Sequence, residues 1–240
     1  MVVPPPSPSS QLPLPATLDR VQILSLPATA FYIAEFITEE EERQILQRVE
    51  AAPKPKWKQL SHRRLQTWPS DLLHDKLLDA PLPPWLVDPV ITRLLTIPVG
   101  ANRNGDDGEN DDRDNIFANS PHKRPNHVLI NEYPPGVGIM PHKNNEDGTL
   151  HTEPVARILQ EPRSLLITTD NLYTDYLHGI ADIDKDIDLS EATIANWDLL
   201  QSKELFASGQ STRETRVSLT YRDVLKVSKL GNKFGMFKRP

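Results

Sequence analysis

The sequence predicts an α+β chain, mainly β, with one helix near its N-terminus. Three observations carry that prediction: a capped helical period over about 39 to 51, and two seven-residue stretches, 127–133 and 216–222, where side-chain character alternates with a period of two. The helix comes first. Thr38-Glu39-Glu40-Glu41 has the form of a capping box, in which the threonine hydroxyl accepts from the backbone three residues on while the glutamate reaches back to the cap. Ile45, Leu46 and Val49 follow at helical spacing, and Pro53 stops the run.

The strands follow. In 127–133 the alternation places Asn131 and Tyr133 on one face and Val128 and Ile130 on the other, and Pro134-Pro135-Gly136 ends the run. In 216–222, Val217, Leu219 and Tyr221 point one way and Arg216, Ser218, Thr220 and Arg222 the other, so both arginines share a face, ~20 Å apart at strand rise. Residues 163–167 read as a short apolar strand. Over 182–189 four aspartates alternate with other residues, and a solvated strand face is expected.

Composition narrows the chemistry. The 240 residues contain no cysteine, which excludes disulfides and thiolate metal sites and leaves imidazole and carboxylate as ligands for a transition metal. A net charge of −6 argues against general polyanion binding, though not against a local patch. No apolar run approaches the ~20 residues that span a bilayer, and the first residues lack a signal-peptide pattern, so a protein of the nucleus and/or cytoplasm with no membrane contact is expected. The 23 prolines, about double ordinary usage, imply irregular stretches.

Residues 1–20 are Pro/Ser-rich and are expected to be disordered, 21–228 to form the domain, and 229–240 a basic tail. Within the domain, 101–125 is an acidic loop insert; as a calcium loop it fails, with Asp107 where glycine is needed and Arg113 where glutamate is needed. Over 54–68 the basic residues Lys54, Lys56, Lys58, Arg63 and Arg64 accompany Trp57 and Trp68. They read either as a nucleic-acid contact with indole stacking or as a solvated strand pair with its tryptophans in the core, and the second reading is favoured.

With no cysteine, two histidines and a carboxylate form the simplest redox-metal site, and His142 and His178 stand out as the imidazoles. Asn131-Glu132-Tyr133-Pro134-Pro135-Gly136, His142, His178 and Arg216-x5-Arg222 occur in an order that resembles the AlkB-like dioxygenases. Phe31 to Trp68, and Glu161 through Ile180, are similar to the branch called AlkB homologue six.

The resemblance implies a double-stranded β-helix, or jelly roll, using Fe(II) as cofactor and 2-oxoglutarate and oxygen as co-substrates. By position His142 and His178 would bind iron, Asn131 and Tyr133 would hydrogen-bond 2-oxoglutarate, Arg216 would pair with its distal carboxylate, and Arg222 would sit near the metal end. The implied activity is oxidative demethylation of an alkylated nucleic acid or protein, ending in succinate and formaldehyde. No residue is assigned a separate catalytic role.

Two departures stand beside the match. The aspartate of the family's His-x-Asp is replaced by Asn144, with Glu146 and Asp147 close by, and Asp147 is taken as the third ligand. Only 35 residues separate the histidines, and the strands expected there are absent, which implies a deletion after 142 and a jelly roll lacking some core strands. The alternative reading is a catalytically impaired or truncated member acting as a binding protein.

Overall fold

The computed structural model describes residues 13–26, 29–100, 114–142 and 154–228. The earliest described residues already belong to the fold: Leu18, in the 3-10 turn Leu18–Val21, is fully buried and donates its backbone N–H to the Pro98 carbonyl. The folded chain therefore begins before the expected boundary at residue 20, because Leu14 and Leu18 supply apolar surface to the core despite their proline-rich setting. Residues 1–12, most of the acidic insert (101–113), and the basic tail from 229 lie outside the described residues.

Strand β1 (Ala30–Ile33) is buried at every position. Phe31 and Ile33 join one hydrophobic cluster, and Ala30 and Tyr32 join a second, so β1 divides two cores. Helix α1 (Glu39–Glu50) starts with both halves of the expected capping box: Thr38 Oγ1 accepts from Glu41 N, and Glu41 Oε2 accepts from Thr38 N. Its Ile45 and Val49 are buried, each contributing ~1.5–3 kcal/mol of apolar burial, whereas Leu46 turns toward solvent. Glu41 also pairs with Arg93, which clamps α1 to the helical segment around 93.

The remaining elements are β2 (Lys58–Gln59), β3 (Arg64–Trp68), β4 (Leu77–Leu78), α2 (Pro84–Val87), α3 (Val90–Leu94), β5 (His127–Tyr133), β6 (Ile139–His142), β7 (Leu165–Thr168), α4 (Asp170–Thr174), β8 (His178–Ile180), β9 (Lys185–Asp186), β10 (Ser211–Thr212), β11 (Arg216–Arg222) and β12 (Val227–Ser228). The fold is thus mixed α/β and mainly strand. Its largest sheet is antiparallel, in the order β11-β5-β3-β2. Among the described residues the other strands form two-stranded ladders: β1 with β7, β6 with β8, β9 with β10, and β4 with β12.

One face of the main sheet covers the first core. Val128 and Ile130 are fully buried there, Val217, Leu219 and Tyr221 pack against the same cluster, and Gln66 donates to the Val49 carbonyl at the end of α1. Trp57 and Trp68 pack against this cluster too, as the favoured reading of the 54–68 stretch expects. On the far side of β1, Glu161 is a buried carboxylate accepting from Tyr32 Oη and from the backbone N–H groups of Gln201 and Ser202. Burial in turn pushes the Tyr32 hydroxyl up from its ordinary value.

In the 182–189 segment Asp182, Asp184 and Asp188 are exposed, as a solvated face expects, but the segment is not one strand. Only Lys185 and Asp186 are extended as a strand, and two of the aspartates are engaged: Asp182 accepts from Gly138 N, and Asp186 receives both Nε and Nη2 of Arg213. Alternating polarity measures only the local pattern, and these partners come from distant parts of the chain.

Candidate active site

The face of the main sheet opposite the helix carries the polar residues. The register sets Arg216 opposite Tyr133, Ser218 opposite Asn131, and Arg222 opposite His127, and on the other side Leu65 opposite Asn131. Arg63 stands one residue before β3, and continuing the ladder places it across from Tyr133 on the same face as Leu65. The result is a row of three side chains: Arg63, Tyr133, Arg216.

Side-chain contacts agree with the register. The guanidinium carbons of Arg63 and Arg216 each lie 5.7 Å from the centre of the Tyr133 ring, and Arg63 Nε donates to Asn131 Oδ1 at 3.1 Å. Asn131 and Tyr133 are only 5% and 4% exposed, so these are buried polar side chains rather than a wet surface. Arginine has donors only, so Asn131 must turn its carbonyl oxygen to Arg63, which leaves its Nδ2 hydrogens for another acceptor.

The charge balance around Tyr133 is one-sided. Several other arginines meet carboxylates: Arg64 pairs with Glu132, Arg93 with Glu41, Arg163 with Glu35 and Glu42, and Arg213 with Asp186. Among the described residues, neither Arg63 nor Arg216 has an acidic partner. Burial depresses the Arg216 pKa from its ordinary value, the Tyr133 side chain opposes that shift, and Arg213 adds to it. Two half-buried cations without acidic partners among the described residues, beside an amide and a phenol, have the chemistry that can receive an anion.

Farther along the same face, His127 is fully buried and accepts from Arg222 Nε at 3.2 Å through Nδ1. Burial first, then the Arg222 charge, lowers its pKa to about 4, so it is neutral near pH 7. Arg222 therefore lies six positions along β11 from Arg216 and turns to a histidine. Nothing in the sequence marks His127 as a site residue beyond the period of two, which places it on the Asn131 face.

The two expected metal-binding histidines meet on a different ladder. After β5 the chain turns at Gly136, whose φ of +76° favours glycine, and a side chain there would strike Asp184. Gly138 lies so close to the Ile180 carbonyl that a Cβ would sit 2.0 Å from it. These two glycines let the segment lie flat against 180–184, and the β6–β8 register then pairs Ile139 with Ile180 and His142 with His178. His178 is exposed. Among the described residues no three metal-ligating side chains converge, and Asn144, Glu146 and Asp147 lie outside those residues.

The 54–68 cations are largely engaged within the protein. Lys56 Nζ donates to the Thr67 and Pro69 carbonyls and stands 4.2 Å over the Trp68 ring, Lys58 pairs with Asp71, and Arg64 stacks 4.0 Å over Trp57. Lys54 is exposed. No helix among the described residues is long and apolar enough to cross a membrane.

No family model matches the chain. It is 37% identical to a protein of Danio rerio named probable RNA/DNA demethylase ALKBH6, over an alignment that takes in 88% of this chain and 92% of the relative. A shorter likeness, 27% identical over 43% of this chain and 50% of the relative, links it to an uncharacterized protein of Acanthamoeba polyphaga mimivirus. With identity at that level across nearly the full length of the first relative, the chain belongs to the AlkB-like family, on its homologue-six branch.

Proposed function

We propose that this protein is an Fe(II)- and 2-oxoglutarate-dependent dioxygenase of the AlkB type that demethylates an alkylated nucleic acid. The observation that carries the reading is the half-buried Arg216 guanidinium, without an acidic partner among the described residues, at the Tyr133 ring on the face that also bears Asn131, which suits the distal carboxylate of a small dianion. In this reading Arg216 pairs with that carboxylate, and the Asn131 Nδ2 and the Tyr133 hydroxyl donate to it. The low exposure of both residues keeps water from competing and strengthens each contact. The seven paired positions of β5 and β11 fix these groups before the ligand arrives.

His142 and His178, ladder partners, would hold iron, with Asp147 as the third ligand. Iron held there would use dioxygen as the oxidant, one oxygen atom going to succinate as 2-oxoglutarate loses carbon dioxide and the other to a nearby C–H bond. A nucleic-acid substrate is supported by the name of the Danio rerio relative, with the exposed Lys54 as a backbone contact, since Lys56, Lys58, Arg63 and Arg64 are engaged within the protein.

A second reading, a family member that binds without catalysis, rests on two observations. Asn144 stands where the family's aspartate would, and the alignment to the relative runs to 248 positions while using 88% of a 240-residue chain, so the relative carries stretches with no counterpart here.

One experiment separates them. Succinate formation from 2-oxoglutarate is expected to require Fe(II) and to fall at least ~100-fold in His178→Ala and Asp147→Asn. Turnover that is no greater in the unmutated protein than in His178→Ala defeats the dioxygenase reading and leaves the binding one. Activity kept in Asp147→Asn but lost in Asn144→Ala would move the third ligand to Asn144.

A further inference from the structure

Arg63 is not part of the residue set that the family resemblance carries over, yet its side chain reaches that set. It lies at the end of the turn between β2 and β3, where Leu60 N donates to the Arg63 carbonyl, and it crosses to Asn131 Oδ1 and the Tyr133 ring. Its neighbour Arg64 goes to the other face of the sheet, to Glu132 and Trp57. A one-residue step thus separates a cation tied to an acid from one that is not.

We propose that Arg63 is a second guanidinium of the 2-oxoglutarate pocket and the positioning residue for Asn131; this rests on the reading of Asn131, Tyr133 and Arg216 as that pocket. Arg63 acts in two ways. It adds a positive charge across the Tyr133 ring from Arg216, so a carboxylate seated over the ring lies between two cations. It also fixes the amide of Asn131 with oxygen inward to the guanidinium and Nδ2 toward the ligand. Because Arg63 belongs to the β2–β3 hairpin, occupancy of the pocket steadies that hairpin, which also carries Lys58 and Arg64.

The test measures 2-oxoglutarate binding by calorimetry with Mn(II) in place of iron, using the full chain and folded variants matched by circular dichroism. Arg63→Ala is expected to weaken binding about tenfold, a loss typical of one charge-assisted contact. Arg63→Lys, which keeps the charge but loses the planar fork, should fall between. Arg64→Ala should bind as the unmutated protein does, and Arg216→Ala should lose binding.

A second readout is amide exchange over 58–66, slowed by 2-oxoglutarate in the unmutated chain and not in Arg63→Ala. Unchanged or tighter binding by Arg63→Ala, alongside loss in Arg216→Ala, overturns the role of Arg63 and leaves the pocket standing. No binding by the unmutated chain overturns both.

Discussion

His127 illustrates how one side chain ties this fold to pH. Its imidazole is held neutral inside the sheet, with a pKa of about 4 against an ordinary value near 6.5. The unfolded chain therefore binds more protons than the folded one between those values. The stabilisation is complete above about pH 6.5 and is lost as pH falls toward 4. Comparing urea unfolding at pH 7 and pH 5, the unmutated protein should lose about 2 kcal/mol more than His127→Gln, which cannot titrate. Equal losses would mean that His127 is not the source of acid sensitivity. Arg63 and Arg64 make a companion point at the same scale: adjacent, chemically identical residues are divided by strand parity into a pocket cation and a structural ion pair.

At the scale of elements, α1 and the β5–β11 pair do most of the positioning. The capping box sets where α1 starts, and the same Glu41 that closes the box also holds Arg93. Thr38→Ala should cost about 1 kcal/mol in chemical unfolding, the usual loss of a capping hydroxyl. Glu41→Ala should cost more, since it removes the return bond and the ion pair together. The β5–β11 pair shows what alternation can reveal: Asn131, Tyr133, Arg216 and Arg222 sit on the face that the period of two assigns them. At 182–189 alternation gave the exposure of Asp182, Asp184 and Asp188 but not the extent of the strand, which is limited to Lys185–Asp186, and Asp182 and Asp186 also serve Gly138 and Arg213 across tens of residues.

For the molecule as a whole, two cores meet at β1, and the proposed 2-oxoglutarate site, with Asn131, Tyr133 and Arg216, lies on the face of the main sheet turned away from the first of them. Ligand binding at that site should appear as global stability. With 2-oxoglutarate and Mn(II) at a hundred times the dissociation constant, unfolding should become about 2.7 kcal/mol harder, and the gain should vanish in Arg216→Ala. A gain retained in Arg216→Ala would place the ligand elsewhere. The glycine turn at 136–138 belongs to this scale as well, because it brings the His142 strand onto the His178 strand from 36 positions away.

By itself the sequence determined the helix and its cap, the two long strands, the faces of their side chains and the ordered motif that led to the family. Those properties are local: each depends on periods of two or 3.6 residues and on chemistry within one turn or strand. Tertiary structure alone decided that β5 and β11 are neighbours in a register joining Tyr133 to Arg216, that Arg63 reaches over from the hairpin, and that His127 is buried beside Arg222. Register and burial arise from contacts between residues far apart in the chain, and composition and spacing along one strand carry no record of which strand will lie beside it.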